Sequence, residues 1–222
     1  MFDMNMLLEA ERMRKIYLDA VRMNGYDVTY IKNQTEEIRI EAVRQNGYVL
    51  EYIKDQTDEI CIAAVRQNGC ALRYVLNQTE EMCWAALEQN STSLGFIRNQ
   101  TEEMCLMAVR RFGSNIIHVK EQTEEICLEA VKQWGPALTH VKYQTEEDVR
   151  KGTRSLSPMA YEAICLEAIQ NPNFNESHLA SFSYTPLTFE ERLEYIKDPE
   201  MKERIRQCVE NKRFLKTKSA KK

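Results

Sequence analysis

Short apolar blocks at helical spacing alternate along most of the chain with polar stretches that open on Gln-Thr-Glu-Glu or a close variant. The segment Thr57 to Asn77 shows the pattern. Ile60, Cys61, Ala64 and Val65 fall on one face of a helix. Ile62 lies beside that face and widens it, as suits a helix sandwiched between others. Thr57 is placed to cap the helix start with its hydroxyl, and Asp58 and Glu59 sit in the first turn, where the helix dipole favours acids. Gly69 follows the last periodic residue and predicts a left-handed helix stop. Ala71 to Leu76 then predicts a second, shorter helix with Leu72 and Val75 inward.

The pattern repeats. Thr35, Thr57, Thr79, Thr101, Thr123 and Thr145 recur at one fixed interval, the signature of a repeat array. A divergent copy precedes them at Met13 to Val21, and another follows at Tyr161 to Ile169. Ala168 of that last copy lies beyond Ala130 by one full period plus an insertion. Ala20, Ala42, Ala64, Ala86, Ala108, Ala130 and Ala168 share one position, where a small side chain lets helices approach closely. Leu18, Ile40, Ile62, Trp84, Leu106, Leu128 and Leu166 fill the position two before it. One unit cannot bury both its faces, and stacking buries them on the next unit. A leucine-rich repeat would need a Leu-x-x-Leu-x-Leu strand, which is missing. The expected fold is therefore an all-α solenoid, right- or left-handed, of 22-residue two-helix repeats with a divergent helical C-terminal cap.

The predicted organisation is an N-terminal cap over 1–12, the array over 13–147, and a basic loop over 148–160. The last repeat and divergent cap follow over 161–213, then a disordered basic tail over 214–222. Arg150, Lys151 and Arg154 mark the loop, and Ser157-Pro158 reads as the next helix start. Thr188 with Glu191 fits a capping box, and Asp198-Pro199 starts a further helix. The loop reads either as a projecting binding element or as a tolerated surface insertion.

Composition adds limits. Seven Gly and five Pro are few for a turn-rich β fold, and 43 % hydrophobic residues supply a core. The formal net charge is −4, which gives no general attraction to nucleic acid. Residues 1–147 hold 16 Lys/Arg against 23 Asp/Glu, whereas 148–222 hold 14 against 11. No basic leader with a long apolar run opens the chain, and no stretch approaches the roughly 18–20 apolar residues of a spanning helix. The expectation is a cytoplasmic protein that engages no membrane, with the basic tail as the argument for a nuclear address.

Candidate chemistry follows the repeat. Cys61, Cys83, Cys105, Cys127 and Cys165 share one position, which Tyr17 and Arg39 hold in earlier units. Helices stacked roughly 8–10 Å apart are too far apart for disulfides, with Cα separations of about 4.4–6.8 Å, or for a shared zinc. Buried apolar thiols in a reducing compartment are expected, with no metal and no cofactor. His118 and His140 continue a column of Tyr30, Tyr52, Tyr74 and Phe96. The next column is Lys32, Lys54, Leu76, Arg98, Lys120 and Lys142. Together they form an aromatic-basic strip, suited to stacked bases or an extended peptide; the alternative is that the rings cover helix joints. Paired acids such as Glu36-Glu37 and Glu146-Glu147 suit either a basic partner or helix N-termini in water. One position changes character: Asn24, Asn46, Asn68 and Asn90 give way to Phe112 and Trp134. Two such aromatics, if exposed, would form an apolar patch of hot-spot type. No nucleophile-base spacing, glycine-rich phosphate loop or H-E-x-x-H is present, so no enzyme is expected.

The copies Gln122 to Lys142 and Gln56 to Asn77 resemble a repeat family of unknown function, written QTEEICLEAVKQNGxALxYVKN, found in large DNA viruses, phages and some bacteria. The resemblance covers residues 13 to about 147 and the copy at 161–171. It implies a helical array of viral or mobile-element origin and carries over no catalytic or binding residues. The reading that results is a non-catalytic protein-binding scaffold, a viral or phage factor that antagonises a host defence protein. Its expected contacts are Phe112, Trp134, His118, His140 and the loop Arg150, Lys151 and Arg154. The alternative is an RNA or single-stranded nucleic-acid binder using the aromatic-basic strip.

Overall fold

A computed structural model describes residues 4–141 together with 164–165, 167–168, 171, 199, 202–203 and 205–207. The protein is an all-α repeat solenoid. Among the described residues there is no strand, and no helix is long and apolar enough to cross a membrane. The chain divides into two compact units, Met1–Asn99 and Gln100–Lys222.

The α-helices are α1 (Met4–Met23), α2 (Glu36–Gln45), α3 (Asp58–Gln67), α4 (Glu80–Gln89), α5 (Glu102–Arg111) and α6 (Glu124–Gln133). A six-residue 3₁₀ helix follows each, over Gly25–Tyr30, Gly47–Tyr52, Gly69–Tyr74, Ser91–Phe96, Gly113–His118 and Gly135–His140. The shorter second helix is thus 3₁₀ rather than α. Its three-residue period accounts for the apolar spacing. Gly47, Leu50 and Ile53 are buried along one edge, as are Gly69, Leu72 and Val75. The α-helices start as their threonines dictate: Thr57 Oγ1 accepts the Ile60 N–H at 3.4 Å and Thr79 Oγ1 the Met82 N–H at 3.3 Å.

One residue joins the two helices of each repeat. Asn68 has φ −149° and ψ 111°; its N–H donates to Ala64 O, and its side-chain oxygen accepts from Cys70 N. Asn46 and Asn90 do the same in their repeats. The chain therefore turns through extended backbone, and the glycine that follows is not left-handed, contrary to the sequence expectation. Close approach explains it instead. A Cβ on Gly25 would lie 2.6 Å from the carbonyl oxygen of Ala42 in the next repeat. At Gly69 the Cβ would collide with Ala86 O and lie 2.6 Å from Ser93 Oγ. The alanine column and the glycine column are two sides of one contact.

Two glutamines in most repeats satisfy the backbone that this contact buries; α5 ends in Arg111 instead of the first of them. The first ends an α-helix and reaches back: Gln67 Oε1 accepts the Gly47 N–H at 2.7 Å, Gln89 Oε1 the Gly69 N–H at 2.6 Å, and Gln133 Oε1 the Gly113 N–H at 2.6 Å. The second opens Gln-Thr-Glu-Glu and reaches forward. Gln56 Nε2 donates to Tyr74 O at 3.0 Å while its Oε1 accepts from Leu76 N at 3.0 Å. Gln100 makes the same pair with His118 O (2.9 Å) and Lys120 N (3.0 Å). A forward-reaching glutamine thus ties down the end of the next 3₁₀ helix, where backbone groups lack helical partners.

In the second unit, Ile164, Cys165 and Ala168 are buried helical residues, and Asn171 Nδ2 donates to Val131 O (3.1 Å) and Lys132 O (2.8 Å). The divergent copy therefore packs on the end of α6.

The glycine contact yields a test. Gly69→Ala must displace backbone rather than a flexible side-chain end, so the substitution is expected to destabilise by about 1–3 kcal/mol. Gly95→Ala, at an exposed site, is expected to leave the midpoint nearly unchanged. Urea unfolding followed by far-UV circular dichroism checks both.

Candidate interaction surface

The capping position shows what the aromatic replacements change. Asn24, Asn46, Asn68 and Asn90 each accept the N–H two residues ahead. Phe112 and Trp134 keep the same backbone, φ −146° with ψ 114° and 99°, but make no side-chain cap. At Trp134 the loss is small, because the residue two ahead is Pro136, which has no N–H to cap. At Phe112 the residue two ahead is Ser114, whose N–H loses a partner that the asparagines supply elsewhere. Such a cap is worth about 0.5–2 kcal/mol.

The two aromatics end up differently placed. Phe112 is 54 % exposed. Trp134 is half-buried, and its ring stacks on His140, with centroids 6.3 Å apart and planes 20° apart. Ile117, on the same 3₁₀ helix as His118, is 55 % exposed. Phe112 and Ile117 are thus exposed apolar side chains of the second unit, and Trp134 is partly so. The sequence reading did not single out Ile117; its mark is an isoleucine where the other repeats carry Thr29, Glu51, Arg73, Gly95 and Thr139. Arg150, Lys151 and Arg154 lie outside the described residues.

In the first unit the aromatic column is largely tied to its neighbours. Tyr52 meets Tyr26 edge-on at 5.9 Å, and Tyr74 meets Tyr48 at 6.2 Å. Arg73 lies over Tyr74 at 5.6 Å and over Phe96 at 4.9 Å. Tyr30 is 85 % exposed. In the basic column, Lys32, Lys54 and Lys120 are exposed, whereas Arg98 donates to Leu76 O (2.5 Å) and Val75 O (2.9 Å) of the preceding repeat. Lys142 lies outside the described residues. Tyr52, Tyr74 and Phe96 therefore contact side chains of neighbouring 3₁₀ helices, whereas Tyr30 does not cover a joint in this way, and Arg98 of the cationic column serves backbone.

Many acids of the Gln-Thr-Glu-Glu column also have internal partners. Glu36 accepts the Thr57 hydroxyl and Glu102 the Thr123 hydroxyl, both at 2.7 Å. Glu37 pairs with Arg14, and Glu125 with Arg110.

The thiols Cys61, Cys83, Cys105, Cys127 and Cys165 are free and buried. Burial, reinforced by the nearby acids Asp58 and Glu102, pushes Cys61 and Cys105 up to about 11. Cys61 Sγ lies 3.6 Å from Gln56 Oε1, and Cys105 Sγ is equally far from Gln100 Oε1. The column therefore backs the forward-reaching glutamines. Among the described residues, no group of three His, Cys, Asp or Glu is placed to hold a metal ion.

Comparison with known proteins gives one match. Residues 36–79 are similar to a family described as a domain of unknown function, DUF4116. That stretch runs from the start of α2 to the threonine that caps α4, two repeats in length. It fits a repeat family of unknown function and assigns no activity. No curated protein and no solved structure matches the chain.

Burial lowers the pKa of His118 and of His140 below the ordinary 6.5. The unfolded chain then takes up protons more readily than the folded one. Stability from this source is complete above about pH 6.5 and falls as the pH drops through that value, levelling off below the folded-state pKa values. The melting temperature is expected to fall between about pH 7 and pH 5, and the fall to be shallower in His118→Asn/His140→Asn. An unchanged slope in the double variant would rule out this source.

Proposed function

We propose that the chain is a non-catalytic scaffold that binds another protein through the 3₁₀ surface of its second unit. The observation that supports this most is Phe112. A ring more than half exposed replaces an asparagine that elsewhere caps the helix, so the sequence gives up stability to display an apolar anchor. Natural sequences break their own local rules mainly where function requires it. Aromatic anchors of this kind dominate binding energy in protein interfaces. Ile117, His118, Trp134 and His140 are the further contacts of this reading, and Arg150, Lys151 and Arg154, outside the described residues, are its cationic ones. The resemblance to repeats of viruses and phages supplies a concrete version, a factor that binds and antagonises a host defence protein in the host cytosol.

Phe112→Asn separates function from folding, because it restores the cap. The variant is expected to gain about 0.5–2 kcal/mol in stability and to lose the partner. Tagged chain captured from host-cell lysate, with and without nuclease, should retain a defined protein after nuclease treatment. Retention of that protein by Phe112→Asn at parental strength would remove Phe112 from the site.

One observation favours the nucleic-acid alternative: Arg73 over the rings of Tyr74 and Phe96, with Tyr52 and Lys54 exposed in the preceding repeat, offers groups suited to stacked bases. That reading expects affinity for single-stranded RNA that falls steeply with salt and is damaged by Tyr52→Ala or Lys54→Glu. Filter binding over a salt series measures it, and a flat, weak response in all three proteins would exclude it.

A further inference from the structure

The α-helical side of the first unit carries a second feature, distinct from the Phe112 surface. Arg22, at the end of α1, closes an ion pair with Glu41 of the next helix at 2.8 Å. In the second unit Arg110, at the end of α5, does the same with Glu129 of α6 at 3.1 Å. Arginine and acceptor keep the same separation along the chain in both cases. Arg44 and Arg66 hold the same arginine position in α2 and α3, but the residues at that separation from them are Ala63 and Ala85. Arg44 consequently makes no ion pair among the described residues. Arg66 reaches Glu81 at 3.7 Å, with both side chains about two-thirds exposed, a contact of little value in water.

Where the glutamate is missing, there is a groove. It holds about 420 Å³ and is lined by Arg44, Glu59, Ile62, Ala63, Arg66 and Gln67. Ile62 and Ala63, both half-buried, are the apolar part of the lining, and Arg44 and Arg66 are its two cations. Gln67 is committed to Gly47 through its Oε1. Glu59 is the one acid on the lining, and it forms no ion pair with Arg44.

We propose that this groove binds an acidic segment of a partner protein. A carboxylate of that segment takes the place that Glu41 and Glu129 fill for Arg22 and Arg110, and an adjacent apolar side chain lies on Ile62 and Ala63. A planar guanidinium fork suits a carboxylate and forms charge-assisted bonds with it. The array's own closed pairs show that this geometry accepts a glutamate. The inference stands independently of the Phe112 surface.

The test uses the full chain and a fluorescein-labelled peptide of alternating glutamate and leucine, read by fluorescence polarisation. The peptide is expected to bind, and its glutamine-leucine counterpart to bind weakly. Ala63→Glu returns the missing acceptor to the chain and is expected to weaken the peptide about tenfold or more without lowering the melting temperature. Arg44→Gln is expected to weaken it similarly, and Phe112→Asn to leave it unchanged. No peptide binding by the parent, or full binding by Ala63→Glu and Arg44→Gln, overturns the proposal. So does an Arg44-dependent preference for a single-stranded RNA oligonucleotide, which would assign the groove to phosphate instead.

Discussion

Backbone groups buried where two repeats meet must find hydrogen-bond partners across the joint, because water is excluded there. The close contact between a glycine and the alanine carbonyl of the next repeat creates that demand, and glutamine side chains meet it. Gln67 and Gln89 hold the amides of Gly47 and Gly69 in the preceding repeat, and Gln56 and Gln100 hold the ends of the 3₁₀ helices that close their own repeats. Every other regularity sits around this lattice. The alanine must be small, the position facing it is glycine in every repeat but one, where the small Ser91 stands, and the cysteine thiols fill the space behind the glutamine amides. Neither the apolar core nor the glutamines alone would fix the spacing of the repeats. The core supplies the driving force, and the amides supply the register.

Much of this was legible in the sequence, for reasons that differ from residue to residue. The fixed period, the threonine caps and the inward alanines follow from helical spacing and capping chemistry, which are local. The glycine was legible as a position but not as a mechanism. A glycine after a helix reads as a left-handed stop, whereas Gly69 is required by the carbonyl oxygen of Ala86 in the next repeat, and such contacts leave no local mark. The 3₁₀ character was visible in the spacing of Gly47, Leu50 and Ile53, a period of three that a helical reading absorbs too easily. The glutamines were seen as letters of the motif. Their role depends on bonds to backbone some twenty residues away, so it appeared only in three dimensions.

The candidate surfaces follow the same division. That Phe112 and Trp134 depart from an asparagine column is a fact of the sequence. That one ring stands in solvent while the other stacks on His140 is not. The Arg44 groove stands out by contrast at one repeat position, where Arg22 and Arg110 close ion pairs with Glu41 and Glu129. Repetition, which dilutes arguments drawn from any single residue, here becomes a source of contrast. Departures from the consensus carry more information than the consensus itself, because the consensus is explained by stacking.

The joint made by Asn46, Asn68 or Asn90 has a consequence for how such a chain can change in length. A single residue closes one helix and opens the next, so there is no slack between them for added residues. The connection after each 3₁₀ helix, which ends in Gln-Thr-Glu-Glu, is the other link in the repeat. The extra stretch of sequence that precedes the copy at 161–169 directly follows Gln144-Thr145-Glu146-Glu147 in the sequence, at this link and not at an asparagine joint. Insertions and deletions in this lineage should therefore collect at one kind of seam, leaving the asparagine joints uninterrupted. Growth by whole repeats and decoration at that seam are then the two routes by which the gene can lengthen without losing the fold.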